Sequence, residues 1–175
     1  MYTFLELIKK RRSIRKFEDK KIPQEQIKEI LKPALLSPSS KSKRPWKFIV
    51  TEESEKLELI AKCKPFGAKF VTDASAAILI LGNSEQSDVW IEDCAVATTL
   101  IQLAAEEKNI GSTWVQIRKR KNEEGEPAEN ILKESFDIPE SWNILAVVAL
   151  GYKQKERSSY SDDDMEWDKV SYEKF

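Results

Sequence analysis

The chain has 175 residues, with 29 Lys and Arg against 30 Asp and Glu, a formal net charge of −1, 41% hydrophobic residues, two cysteines and no histidine. This length and composition suit one domain with a real core. Without histidine, Ser-His-Asp and Cys-His nucleophilic machinery cannot be built in cis, nor can a histidine-ligated zinc or haem site. Cys63 and Cys94 make neither a zinc site nor a disulfide framework, which favours a reducing, cytoplasmic setting. The start, MYTFLELIKKRR, carries no legible targeting signal, and no stretch approaches the roughly 20 apolar residues of a membrane span. Any chemistry must be borrowed from a bound group or rest on carboxylates.

In chain order, Phe4, Leu5, Leu7 and Ile8 recur at helical spacing and predict a helix over about 3–12, delivering Arg11 and Arg12 at its end. Pro23 opens a second helix carrying Ile27, Ile30, Leu31 and Leu35, which Pro33 should kink or shorten and which ends by Pro38. WKFIVT at 46–51 has strand composition, 54–62 is helical, and SAAILILG at 75–82 is apolar enough for a strand buried on both faces. The segment 87–109 is apolar around nearly its whole circumference and predicts a helix buried on all sides, in part against a second subunit. STWVQI at 112–117 reads as a strand, Pro127 opens a helix with Ile131, Leu132 and Phe136, and ILAVVALGY at 144–152 is a second buried strand. Helices alternating with buried strands give an α/β or α+β domain around a central sheet. After Gly151 the chain turns charged and Ser-rich, and its last piece, EWDKVSYEKF, alternates Val170 and Tyr172 with polar residues as a strand or arm that cannot form its own core.

Charge is blocked rather than dispersed. Eight Lys and Arg lie between Lys9 and Lys21, Lys41 to Lys47 and Arg118 to Lys121 are further basic clusters, and Asp162 to Asp168 is acidic. Within the first block, RRSIRKF sets Arg11, Arg12, Ser13 and Arg15 just beyond a helix. Guanidinium forks and a hydroxyl suit phosphate oxygens, although alone the segment is better explained as a solvated helix end complementing the macrodipole. SPSSKSKRPWKF, from Ser37, is a proline-stiffened loop with many donors that could read the carbonyl edge of a heterocycle, or an ordinary connector. At GSTWV, Gly111 lets the backbone approach a ligand, or simply ends the preceding helix. Lys155 and Arg157 lie two apart, so an extended backbone puts them on one side as half of an anion site, or they belong to an exposed tail.

Taken together, RRSIRKF, SPSSKSKRPWKFIV, a long buried helix running into IGSTWV, and VVALGY followed by Lys155-x-Arg157 resemble the FMN-dependent nitroreductase family in its short single-domain form, over about residues 4–157. The resemblance implies an α+β fold, a three-layer α/β/α sandwich with a central, mostly antiparallel sheet. Residues 1–157 would form the FMN-binding domain, and 158–175 an extension packing on the partner subunit as an arm exchanged in a homodimer. It implies that Arg11, Ser13 and Arg15 bind the flavin phosphate and ribityl side with help from Arg12. Pro38, Ser39, Ser40, Ser42 and Arg44 would reach the ring from the other subunit, the Gly111–Gln116 backbone, with Gly111 and Ser112 at its head, would lie near the flavin, and Lys155 and Arg157 would complete the phosphate site. Ser42 stands where the family often has Asn and Lys153 where many relatives have Pro. The 67–70 segment lacks the Asn and Lys of larger members, with Lys69 as a substitute.

The activity so implied is an oxidoreductase whose chemistry sits at flavin N5. It takes a hydride from NADH or NADPH and passes electrons to a nitroaromatic, quinone or similar small acceptor in a ping-pong course. A cation at the N1–C2 edge, Arg44 or Lys41, would stabilise the reduced ring. Absence of a G-x-G-x-x-G turn places the donor transiently over the flavin, with specificity in loops 63–72 and 118–127. The same fold with flavin breakdown, dehalogenation or mere flavin holding is the alternative. A nucleic-acid binder is disfavoured by a pI near 5.8 and the acidic tail.

Overall fold

The computed structural model describes residues 2–175. Helix α1 (Phe4–Lys10) begins with a reciprocal cap in which the Thr3 hydroxyl accepts the Glu6 N–H and the Glu6 carboxylate accepts the Thr3 N–H. It stops earlier than its periodicity suggests, because Arg11 turns extended (φ −61°, ψ 117°) and the chain beyond it is drawn onto the sheet. Helix α2 (Gln24–Leu35) keeps Pro33 in its last turn and ends two residues later. Strand β1 (Trp46–Thr51), helix α3 (Ser54–Lys62) and strand β2 (Ala76–Asn83) follow. Helix α4 (Trp90–Glu107), strand β3 (Ile110–Gln116), helix α5 (Ala128–Ser135) and strand β4 (Trp142–Tyr152) complete the core.

The four strands form one sheet in the order β1-β2-β4-β3, every neighbouring pair antiparallel. The two unbrokenly apolar segments are its central strands. They are buried because both faces are covered: Ile78, Ile80, Val148 and Leu150 pack with residues of α2 and α4, while Leu79, Leu81, Val147 and Ala149 pack with α3 and α5. This is the expected α+β three-layer sandwich. A bulge between β2 and β4 sets Ile80 opposite Ala146 but Leu81 opposite Ile144, so Leu145 is the extra residue. Its carbonyl accepts the N–H groups of Ile117 and Arg118, tying in the chain just past β3.

Within the chain α4 is not buried all round. Glu92, Val96 and Thr99 form an exposed stripe, with Val96 42% exposed. Helix α1, which packs on α4, leaves Phe4, Leu5 and Ile8 exposed. Helix α4 is terminated by Asn109 at a left-handed φ of 59°, not by Gly111, which is a residue of β3. The C-terminal piece, expected as a strand or an arm, forms short 3-10 turns at Asp162–Asp164 and Trp167–Lys169 and joins no strand of the chain's own sheet. No helix among the described residues is long and apolar enough to cross a membrane.

Candidate functional site

The segment after α1 is strapped to two strands at once. Ser13 bridges Ser112 in parallel, the Ile14 N–H donates to the Ser112 carbonyl at 3.0 Å, and the Thr113 hydroxyl donates to the Ile14 carbonyl. Three residues on, Phe17 bridges Lys153, flanked by Glu18 N–H to Tyr152 O at 2.9 Å and Gln154 N–H to Lys16 O at 3.2 Å. Ile14 and Phe17 are thereby driven inward, both buried, while Arg15 and Lys16 stay at the surface. Two glycines make this approach possible. A Cβ on Gly111 would lie 2.9 Å from Ile14 and 3.0 Å from Lys153 Cγ, and one on Gly151 would lie 2.6 Å from the Phe17 ring. The observed role of Gly111 is close chain-on-chain packing.

This strapping opens a cleft of about 460 Å³ walled by Ser13, Ile14, Arg15 and Lys16 on one side and Lys155, Glu156, Arg157 and Ser158 on the other. Two sequence signals 140 residues apart thus meet. None of Arg11, Arg15, Lys16, Lys155 or Arg157 takes part in an ion pair among the described residues. The one acid in these walls, Glu156, approaches Lys153 at 3.3 Å instead, and guanidinium forks beside a serine hydroxyl are chemically suited to phosphate oxygens.

Two arginines stand outside it. The Arg12 guanidinium donates to the Ser158 carbonyl and lies 4.3 Å from the centre of the Tyr160 ring, so it holds the start of the tail. The tail is fastened further by Tyr160 N–H to Lys9 O at 2.9 Å and by a Lys9–Asp162 ion pair at 2.5 Å. Arg11 is half-buried at the end of α1, does not line the cleft, and spends its N–H on the Leu7 carbonyl at 3.0 Å.

The serine-proline loop, with Pro38, Ser39, Ser40, Ser42 and Arg44, does not line the cleft of its own chain. It forms a tight 3-10 turn at Ser40–Ser42 in which Lys41, Ser42 and Arg44 all have left-handed φ, at 51°, 54° and 49°. Non-glycine residues adopt this region at a cost of order 1–3 kcal/mol each, and such strain collects at functional sites. The Ser39 hydroxyl accepts the Arg44 N–H at 2.9 Å, and buried Asp93 accepts the Ser40 N–H at 2.8 Å and the Ser87 hydroxyl at 3.2 Å.

Lys69 begins a 3-10 turn, Lys69–Asp73, and lines a different cleft with Lys62, Lys64 and Asn122. Its neighbour Phe70 is the residue that approaches the cradle segment, 5.9 Å from the Arg15 guanidinium and 6.5 Å from the Phe17 ring. The sequence reading missed Phe70, Asp93, Glu106 and Thr113. The two acids carried no signal of their own, since each lies beside another acid of α4, Glu92 or Glu107, and only burial in the folded chain sets Asp93 and Glu106 apart.

The cysteines offer no nucleophile. Burial pushes the Cys63 thiol up to about 11 and the Cys94 thiol up to about 12. Burial also lowers Lys64, whereas Lys10 is raised, chiefly by its hydrogen bond to the Tyr2 hydroxyl at 2.8 Å. The cleft thus gathers cations and a hydroxyl, and neither buried thiol faces it.

A nitroreductase family model matches residues 8–70 and 62–152. A protein of Archaeoglobus fulgidus named "Putative NADH dehydrogenase/NAD(P)H nitroreductase" is 38% identical over 164 residues, covering 91% of both chains. The solved FMN-dependent nitroreductase of Clostridium difficile R20291 superposes with a TM-score of 0.95 at 38% identity, over 98% of this chain and 100% of its own. An iodotyrosine deiodinase bound to FMN and 3-iodo-L-tyrosine has a TM-score of 0.80 at 20% identity, a likeness of fold alone. The antiparallel sandwich, the strapped arginine segment and the family match over residues 8–152 lead to one conclusion: this chain belongs to the nitroreductase family.

Proposed function

We propose that the protein is an FMN-dependent oxidoreductase that uses NADH or NADPH to reduce nitroaromatics, quinones or similar electron-poor small molecules. The observation carrying this reading is the cleft of Ser13, Arg15, Lys155 and Arg157, whose cations have no internal partner and whose donor set fits a phosphate monoester. Held there by Ser13, Arg15, Lys155 and Arg157, FMN would supply the redox chemistry of a ping-pong exchange between nicotinamide and acceptor. The chain's part is to bind, orient and polarise. Ser13 and the cleft cations hold the phosphate and ribityl side, with Arg11 and Arg12 behind them. The family resemblance also assigns the Gly111 and Ser112 backbone and Lys69 to the flavin; in this chain Gly111 lies against Ile14 and Lys153, and Lys69 lines a separate cleft.

The ring edge falls to the 38–44 loop of a second copy. Its strained turn presents Ser39, Ser40 and Ser42 as donors and Lys41 or Arg44 as the cation that favours the reduced, anionic ring. A homodimer is supported by the exposed apolar side chains Phe4, Leu5 and Ile8 of α1 and Val96 of α4. The exposed Trp167, Val170, Tyr172 and Phe175 of the 158–175 extension suit an arm laid on the partner.

The test is anaerobic. Apoprotein titrated with FMN should quench flavin fluorescence at a saturable site. NAD(P)H should then bleach the bound flavin, and a nitroaromatic or quinone should restore its colour faster than oxygen does. Failure to bind FMN ends the flavin reading; binding without acceptor-driven reoxidation ends the reductase reading.

A further inference from the structure

One buried carboxylate joins the two segments that lead into the walls of the cleft. Glu106, in the last turn of α4, is 2% exposed, and its Oε1 accepts Lys153 Nζ at 2.7 Å, with Lys10 Nζ at 3.7 Å. The Lys153 side chain is itself 4% exposed, and its Nζ also approaches the more exposed Glu156 carboxylate at 3.3 Å. An acid at a helix C-terminus opposes the macrodipole, so these lysines offset an otherwise unfavourable placement.

The position of the two lysines matters more than their charge. Lys10 immediately precedes Arg11, at the start of the segment that forms one wall of the cleft. Lys153 stands two residues before Lys155, at the start of the other, and its backbone bridges Phe17 while its Cγ lies over Gly111. Strand β3, whose Ser112 carries Ser13, leaves the same end of α4.

We propose that Glu106 and Lys153 are positioning residues that fix the separation of the two walls, so that Arg15, Lys155 and Arg157 converge on one phosphate group. A buried ion pair adds little net stability, but separating its partners leaves an uncompensated buried charge, so a geometry that parts Glu106 from Lys153 is penalised. Lys153 also draws the Glu156 carboxylate, the one acid of the cleft walls, to 3.3 Å from its Nζ, and Glu156 makes no ion pair with Arg15, Lys155 or Arg157 among the described residues. The inference rests on the reading of the cleft as a phosphate site.

The test compares two ligands that differ only in phosphate, FMN and riboflavin, each titrated into apoprotein by fluorescence quenching. Wild type, Glu106→Gln and the double variant Glu106→Gln with Lys153→Met are measured, the last removing both charges so that no unpaired ion is buried. Circular dichroism and thermal melting report the fold. Both variants should bind FMN about tenfold or more weakly, the scale of losing a charge-assisted contact, and bind riboflavin within about twofold of wild type. If the folded double variant keeps wild-type preference for FMN over riboflavin, or loses affinity for both equally, the positioning role is wrong. If wild type itself makes no distinction between FMN and riboflavin, the phosphate-site reading fails instead.

Discussion

The carboxylate of Asp93, near the start of α4, accepts the backbone N–H of Ser40 at 2.8 Å across 53 residues of sequence. This bond, with Ser39 Oγ on the Arg44 N–H at 2.9 Å, holds a turn in which three non-glycine residues have left-handed φ. Asp93 is 6% exposed and also accepts the Ser87 hydroxyl, so removing it orphans two groups.

Asp93→Ala should therefore lower unfolding free energy by about 1–3 kcal/mol, the penalty for unsatisfied buried partners. The Ser40 amide should exchange with deuterium much faster while the central strands stay protected. An unchanged Ser40 exchange rate would show that the turn is held by something else.

Arg15→Ala should weaken FMN binding by about 1–3 kcal/mol with the fold intact, because a charge-assisted hydrogen bond is lost without burying an orphan. Arg11→Ala should have a smaller effect, since Arg11 lies outside the cleft wall. Isothermal titration of both apoproteins with FMN decides the order, and undiminished affinity in Arg15→Ala contradicts the cradle.

Gly151→Ala places a methyl group 2.6–2.9 Å from Phe17 Cδ1, Cγ and Cβ. Overpacking of this kind costs about 1–3 kcal/mol, and it falls on the strap that carries Arg15. Urea unfolding should show the loss, and replacing Phe17 by the smaller Leu in the same chain should recover part of it. Wild-type stability in Gly151→Ala would refute the contact.

Both thiols should resist alkylation at pH 8 until the chain unfolds. Their folded values, about 11 for Cys63 and about 12 for Cys94, lie above the ordinary thiol value near 8.5. The folded state thus retains protons that the unfolded state releases. The resulting stability is full below pH of about 8.5 and declines as pH rises toward the folded values. Rapid iodoacetamide labelling of native protein, or a flat stability from pH 8 to 10, would refute this.

The sequence alone determined the strands and their burial: the apolar runs over Ala76–Asn83 and Trp142–Tyr152 are central strands, and α3 spans Ser54–Lys62 as read. It also singled out Arg15, Lys155 and Arg157 from residue type and local spacing, and the folded chain brings these three to one cleft. What it left open were matters of partner. Gly111 read as a helix end, a role that Asn109 takes, and its backbone seats Ile14; α4 read as buried all round, in part against a second subunit, and within its own chain keeps an exposed stripe; the last residues read as a strand or an arm, and form short 3-10 turns. Periodicity reports which face of an element is apolar, since that repeats every two or 3.6 residues. It does not report what lies across that face. Glu106 with Lys153, Asp93 with Ser40 and Thr113 with Ile14 are joined over 47, 53 and 99 residues, and only the packed chain brings them within hydrogen-bonding distance.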